Sequence, residues 1–195
     1  MLPADIPEIM SYPNVSAFVA RYLSMQVGDV RSMMRLPLPA LGIGHACNFA
    51  SAATLCNLVS GLSVTVFMPA NPVSTKHRGK NVWIGTGLAF KQIVQDFYPW
   101  DPTDNKHQRA KVLYDLVRNP FAHALGVRTA ASPSIDIARL KVVSPQGEQS
   151  TGLTESQLEE IERSATRPGW LPPGISGSAQ KWTLVAEGFY RDIFH

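Results

Sequence analysis

Between Leu36 and Thr75 the chain carries no Asp, Glu, Lys or Arg. Such a stretch must leave water, either for a bilayer or for the interior of a protein. Its centre, ACNFASAATLCNLVSGLSVTVF, is about as long as a membrane-spanning helix. Within it, however, Asn48, Ser51, Thr54, Asn57, Ser60 and Ser63 place a polar residue at every third position, and the two asparagines in particular oppose insertion. Small and polar residues at this spacing suit a helix packed among other helices, so the expectation is a buried core helix and no membrane span.

The rest of the chain can supply that core. With 195 residues, 45% apolar and 17% charged, the composition is that of an ordinary globular protein. A chain of this length buries roughly two thirds of its unfolded surface and needs neither metal nor disulfide to fold. A net charge of +3 tolerates a polyanion without the clustered Lys and Arg that would announce one. Cys47 and Cys56 lie nine apart in the expected helix and point to opposite sides of it, so they do not bridge and a reducing cytoplasm is expected. The opening MLPADIPEIM holds two acids and two prolines and does not have the form of a secretion signal.

The spacing predicts a mainly helical chain. A first helix follows Pro13, with Asn14 or Ser16 as N-cap and Phe18, Tyr22 and Met25 on one stripe, until Pro37 and Pro39 break it. A second begins near Ala40 and ends around Gly61, after which SVTVFM fits either a strand or a last apolar turn. A polar loop, PANPVSTKHRGKN, leads to a third helix with Ile84, Leu88, Val94 and Phe97 at helical spacing, closed by Pro99. A fourth starts between Asp101 and Asp104 and carries YDLVRNPFAHALG.

Beyond Val127 the pattern changes. Ile135, Ile137, Leu140 and Val142 alternate as in a strand. LTESQLEEIERS has Thr154 as N-cap, Gln157 to complete a capping box, and Leu153 facing Leu158 as a staple. RPGWLPPGISGS reads as a loop, and KWTLVAEGFYRDIFH as a short strand followed by a helix that His195 cuts without a C-cap, so the native chain is expected to continue. The division is a helical bundle over 1–130 and, over 131–195, a strand-helix-loop-strand appendage packed on it.

Few residues in this chain are arranged for chemistry. The five histidines form no H-x-x-x-H pair and the cysteines no C-x-x-C pair, so no metal is expected. Gly42/Gly44 and Gly85/Gly87 have no third glycine or lysine for a phosphate loop and read as turns or close helix contacts, so no cofactor is expected either. No G-x-S-x-G elbow surrounds a serine. Lys106, His107, Arg109 and Lys111 read as a solvated helix face, and the four tryptophans as packing.

There remains Arg118-Asn119-Pro120-Phe121-Ala122-His123. Leu113, Val117, Phe121 and Leu125 make an apolar ladder at spacing four. Asp115, Asn119 and His123 make a second ladder, and Tyr114 and Arg118 share the strip beside it, so an acid, an amide, an imidazole and a guanidinium gather within two turns. Pro120 disfavours helical geometry at Asn119, which predicts a helix break with Asn119 as N-cap, Pro120 as first helical residue and free N–H groups facing an anion. The same residues also admit a plain reading: a helix stop, Arg118 paired to Asp115, and His123 in a helix contact.

This segment resembles the HEPN superfamily, whose signature is an Arg, a polar residue directly after it and a His four to six positions beyond the Arg, here Arg118, Asn119 and His123. The preceding FKQIVQDFYPW, the short polar link and Val112-Leu113-Tyr114 are similar to the family as well, and the resemblance covers roughly residues 40 to 128. It implies a HEPN-like helical bundle that dimerises with two motifs facing one another, and a metal-independent endoribonuclease, in some members a toxin paired with an antitoxin. RNA cleavage through its own 2′-hydroxyl requires proton transfer and positive charge on the phosphorane; the resemblance casts His123 as acid/base and Arg118 as phosphate clamp, and Asn119 is expected as a third catalytic residue, with Tyr114 and Asp115 binding substrate. The alternative it leaves open is a non-catalytic HEPN-like module that binds a nucleotide or a protein.

Overall fold

The computed structural model describes residues 13–36, 47–67, 74–77, 80–83, 85–124, 133–140, 142–143, 149–150, 152–164 and 168–193. The fold is mainly helical, as the spacing predicts. Helix α1 (Pro13–Arg35) starts at its proline, where the missing N–H costs nothing, so Asn14 and Ser16 lie inside the helix rather than capping it. Its core face is Val30 and Met34, with Val27 and Met33 packed alongside, whereas Met25 is 60% exposed. The stripe expected through Met25 is therefore displaced around the helix; the side chains of Phe18 and Tyr22 lie outside the described residues.

Helix α2 (Asn48–Phe67) carries the uncharged run. Its onset near Ala40 falls outside the described residues. The SVTVF segment continues the helix to Phe67, which settles the strand alternative: burial of Ser51, Ala52, Leu55, Val59 and Ser63 at spacing three and four outweighs the β preference of Val and Thr. Asn57 and Gly61 face outward, so the helix is buried on one side only. No helix among the described residues is long and apolar enough to cross a membrane. Cys47 immediately precedes α2 with φ of 53° and accepts from Ser51 N–H at 2.8 Å; both cysteines are free.

The polar loop expected after α2 contains an antiparallel hairpin, β1 (Ser74–His77) and β2 (Lys80–Trp83), with Ser74 opposite Trp83. Helix α3 (Thr86–Phe97) buries Ala89, Phe90 and Val94. Phe97, expected on that face, is 66% exposed; Ile84 lies outside the described residues. Helix α4 (Lys106–Val112) begins later than the Asp101–Asp104 region, because Asn105 caps it by accepting from Gln108 N–H.

Beyond the helices, β3 (Ser134–Ala138), β6 (Ile175–Gly177) and β7 (Lys181–Val185) form a sheet with β7 in the middle, parallel to β3 and antiparallel to β6. Ile135 pairs with Trp182 and Ile137 with Leu184, and all four are buried, the alternation expected of a half-buried sheet. Strand β6 lies within the segment read as a loop. Strands β4 (Val142–Val143) and β5 (Gln149–Ser150) pair separately, so Val142 does not prolong β3. Helix α6 (Glu155–Arg163) has the expected capping box, Thr154 and Gln157 each bonding the other's backbone N–H, and Leu153 and Leu158 are both buried.

Helix α7 (Ala186–Ile193) is buried over nearly its whole length, and Gly188 allows this because a Cβ there would collide with the Pro172 carbonyl. One apolar core contains residues from both sides of position 130, from Val30 and Leu55 through Leu113 to Leu184 and Tyr190. A buried polar knot ties the halves. Arg139 pairs with Glu187 and donates to the carbonyls of Met33 at 3.0 Å and Met34 at 2.7 Å, while Glu187 accepts from Leu140 N–H at 2.9 Å. Burial pushes the Glu187 carboxyl up from its ordinary value, against the pull of Arg139 and of that N–H.

Candidate functional site

The motif lies on a helix with an unusual winding. After α4 the chain passes into a π-helical segment, Leu113–Arg118, and then into α5 (Asn119–Ala124). Pro120 explains the change. Its ring, placed on α-helical winding, collides with the Leu116 carbonyl and supplies no N–H; a wider i→i+5 winding relieves both, and Asn119 N–H donates to the Tyr114 carbonyl five residues back.

The expected break at Asn119 is therefore absent. Asn119 has φ of −68° and ψ of −44°, which is right-handed helical geometry, and its N–H is engaged. The N-cap role of Asn119 and the free N–H groups for an anion both fall with it. The proline is accommodated upstream by winding rather than by ending the helix.

Pairs four apart still meet across the wider turns, Lys111 with Asp115 and Tyr114 with Arg118. Val112, Leu113, Leu116 and Val117 are buried, and Phe121 meets Phe49 of α2 edge-on with centroids 6.0 Å apart; Leu125 lies outside the described residues. Asp115 pairs with Lys111, not with Arg118, so the plain reading of an Arg118–Asp115 pair is corrected. Asn119 is half-buried. His123 is exposed and makes no hydrogen bond or ion pair with the described residues.

Arg118 is half-buried against α2. Its Nε donates to Ser60 Oγ at 3.2 Å, and its guanidinium lies 5.6 Å from the centre of the Tyr114 ring, within cation–π range. Among the described residues no carboxylate pairs with it and its two terminal nitrogens make no hydrogen bond; such a fork can meet two oxygens of an anion. Cys56 lies one helical turn from Ser60, and burial pushes its thiol up to about 12 while the Arg118 charge pulls it back in part.

Tyr114 joins these pieces. Its ring meets Phe90 of α3 with centroids 5.7 Å apart, and the Lys91 ammonium lies 5.1 Å from its centre. Gly87 makes room for the phenol, since a Cβ there would collide with Tyr114 Oη. Of the Gly85/Gly87 pair, expected as turns or close helix contacts, Gly87 makes a close helix contact, whereas Gly85 precedes α3 with nothing within 4 Å of a Cβ there. Of the residues singled out by sequence, Tyr114 and Arg118 are in contact, whereas Asp115 is engaged with Lys111 and His123 stands apart in solvent.

Ser60, Gly87 and Lys91 were not legible as site residues. A signal existed for two of them: Gly87, Phe90, Lys91 and Val94 share one face of α3 at spacing three and four, and that face opposes the motif. The upstream basic run is likewise not uniformly solvated. Lys106 and His107 are exposed, but Arg109 pairs with Asp104, donates to the Ile175 carbonyl at 2.9 Å and lies 5.8 Å from the centres of both Trp100 and Trp182, a structural role. In comparisons with known proteins the chain matches no family model, no curated protein and no solved structure.

Proposed function

We propose that the protein is a metal-independent endoribonuclease of HEPN type, acting in the cytoplasm as a homodimer and held in check by an antitoxin partner. The observation that supports this reading best is the surroundings of the motif's Arg118 and His123. Among the described residues no carboxylate pairs with the Arg118 guanidinium and nothing bonds the His123 imidazole, and the two lie on one continuous helix whose π-helical turns end at Arg118, a winding often found at functional sites.

In this reading, a 2′-hydroxyl attacks the adjacent phosphorus and the 5′-oxygen leaves. Arg118 stabilises the charge that builds on the phosphorane, and His123 moves the proton. Since one imidazole cannot serve as base and acid in the same step, a two-fold interface that brings a second Arg118 and His123 to the phosphate completes the set. Asn119 lies beside them, Tyr114 positions Arg118, and Asp115 contributes through Lys111.

The second reading, a non-catalytic HEPN-like binding module, draws on one specific observation: Arg118 is already engaged by Ser60 and Tyr114. Cleavage of a labelled RNA pool in EDTA separates the two. The expected result is cleavage by the native protein and at least about a hundredfold loss in folded Arg118→Ala and His123→Ala proteins. Cleavage unchanged by either substitution overturns the catalytic assignment, and RNA bound but not cut selects the binding module.

A further inference from the structure

Lys91 is a cation that the motif does not contain. It reaches the same ring as Arg118 from a different helix, with the two charges 5.1 and 5.6 Å from the ring centre. Three other half-buried or buried cations of the described residues are matched to carboxylates, Arg31 to Glu162, Arg109 to Asp104 and Arg139 to Glu187. Lys91 and Arg118 are half-buried too, yet neither has a carboxylate partner among the described residues. Withdrawing two cations from water around one ring costs free energy that a single phenol offsets only in part. An oxyanion bound by both removes that imbalance.

We propose that Lys91, Tyr114 and Arg118 form a phosphate site, in which Lys91 is a second phosphate-binding residue and the Tyr114 ring, seated by Gly87 and Phe90, holds the two cations in register. This rests on the reading of Arg118 as a phosphate clamp and specifies its ligand further: a phosphodiester of a single-stranded RNA backbone. Arg118 meets two phosphate oxygens with its terminal nitrogens, and Lys91 acts as a point charge on the same group or its neighbour. Tyr114 is a positioning residue, since both of its cationic neighbours act on the ligand and it does not.

The test is a titration of the full chain with inorganic phosphate, followed by titration with a short 2′-deoxy single strand that 2′-hydroxyl chemistry cannot cut. Lys91→Gln and Arg118→Gln are each expected to weaken phosphate binding about tenfold. Lys91→Arg is expected to retain binding, and Lys106→Gln on the exposed face of α4 to leave it unchanged. For the strand, Lys91→Gln is expected to lower the slope of log K against log salt by about 0.7, the share of one phosphate contact. Gly87→Ala, which displaces the Tyr114 phenol while keeping both cations, is expected to weaken phosphate binding as well, with the fold checked by circular dichroism.

Phosphate binding unaffected by Lys91→Gln overturns the proposal, as does equal weakening by Lys106→Gln. Phosphate binding lost with an unchanged salt slope for the strand overturns the assignment to a backbone phosphate. The outcome is separable from that of the nuclease reading: a Lys91-dependent phosphate site in a protein that cuts no RNA keeps this site and removes the enzyme. Cleavage that needs Arg118 and His123 while phosphate binding ignores Lys91 does the reverse.

Discussion

Two arginines of this chain have opposite surroundings. Arg139 is buried and fully answered, by the Glu187 carboxylate and the carbonyls of Met33 and Met34. Arg118 is half-buried and, among the described residues, answered only by a hydroxyl and an aromatic face. A charge in the interior is tolerated where its donors are all taken, and such a residue is locked into the fold. A charge at the edge with donors left over does little for the fold, and its remaining donors are what a ligand would use. Burial and partnering together therefore separate a structural arginine from a candidate functional one, although the sequence motif draws the eye to only the second.

The largest expected effect comes from breaking the knot. Glu187→Ala leaves Arg139 charged and buried without its partner and should cost about 3–5 kcal/mol in urea denaturation. The double substitution Arg139→Met with Glu187→Leu should recover much of that, because apolar side chains of similar volume need no partner. If Glu187→Ala unfolds no more easily than the native protein, the contrast between the two arginines is wrong.

A smaller effect should be seen at alkaline pH. The Cys56 thiol is raised in the folded chain from an ordinary 9.0 to about 12, so the folded state holds that proton more tightly than the unfolded one. Its contribution to stability is thus present below about pH 9 and lost as pH rises toward 12. Denaturation midpoints measured from pH 8 to 11 should fall less steeply in Cys56→Ala than in the native protein. Arg118→Ala should leave that slope unchanged, because the onset is set by the unfolded thiol and the folded thiol stays protonated throughout this range. A slope in Cys56→Ala equal to the native one would mean that the fold does not hold the thiol protonated.

The smallest effect on stability should belong to Arg118 itself. Arg118→Ala should change the urea midpoint by less than about 1 kcal/mol of stability, since it loses one hydrogen bond and one half-exposed ring contact, while removing RNA cleavage. Equal losses of stability for Arg118→Ala and Glu187→Ala would erase the distinction on which the site rests.

How much of this was legible in advance differs between elements. The capping box at Thr154, the alternation of Ile135 and Ile137, and the helix after Val185 could be read from neighbouring residues, because each is decided by contacts within a few positions. Strand β6 could not be read, since Ile175–Gly177 becomes a strand only by pairing with β7. Met25 and Phe97 fitted apolar stripes and are exposed, because a stripe states that a face exists and not which neighbour covers it.

At the motif, the residue types were legible and their arrangement was not. Pro120 signalled trouble in the helix, but whether the chain would break or widen depended on the packing of Leu113, Leu116 and Val117 against α2 and α3, which holds the helix together through the proline. The sequence by itself determined that the uncharged run would be a core helix, that the chain would be mainly helical, and that Arg118, Asn119 and His123 would share one segment, since periodicity and charge are local properties. Only the tertiary structure decided that Ser60 meets Arg118 and that Gly87 and Lys91 meet Tyr114, while His123 faces solvent, because contacts between α2, α3 and the π-helical segment join residues far apart in the chain, and no local pattern records which faces will meet.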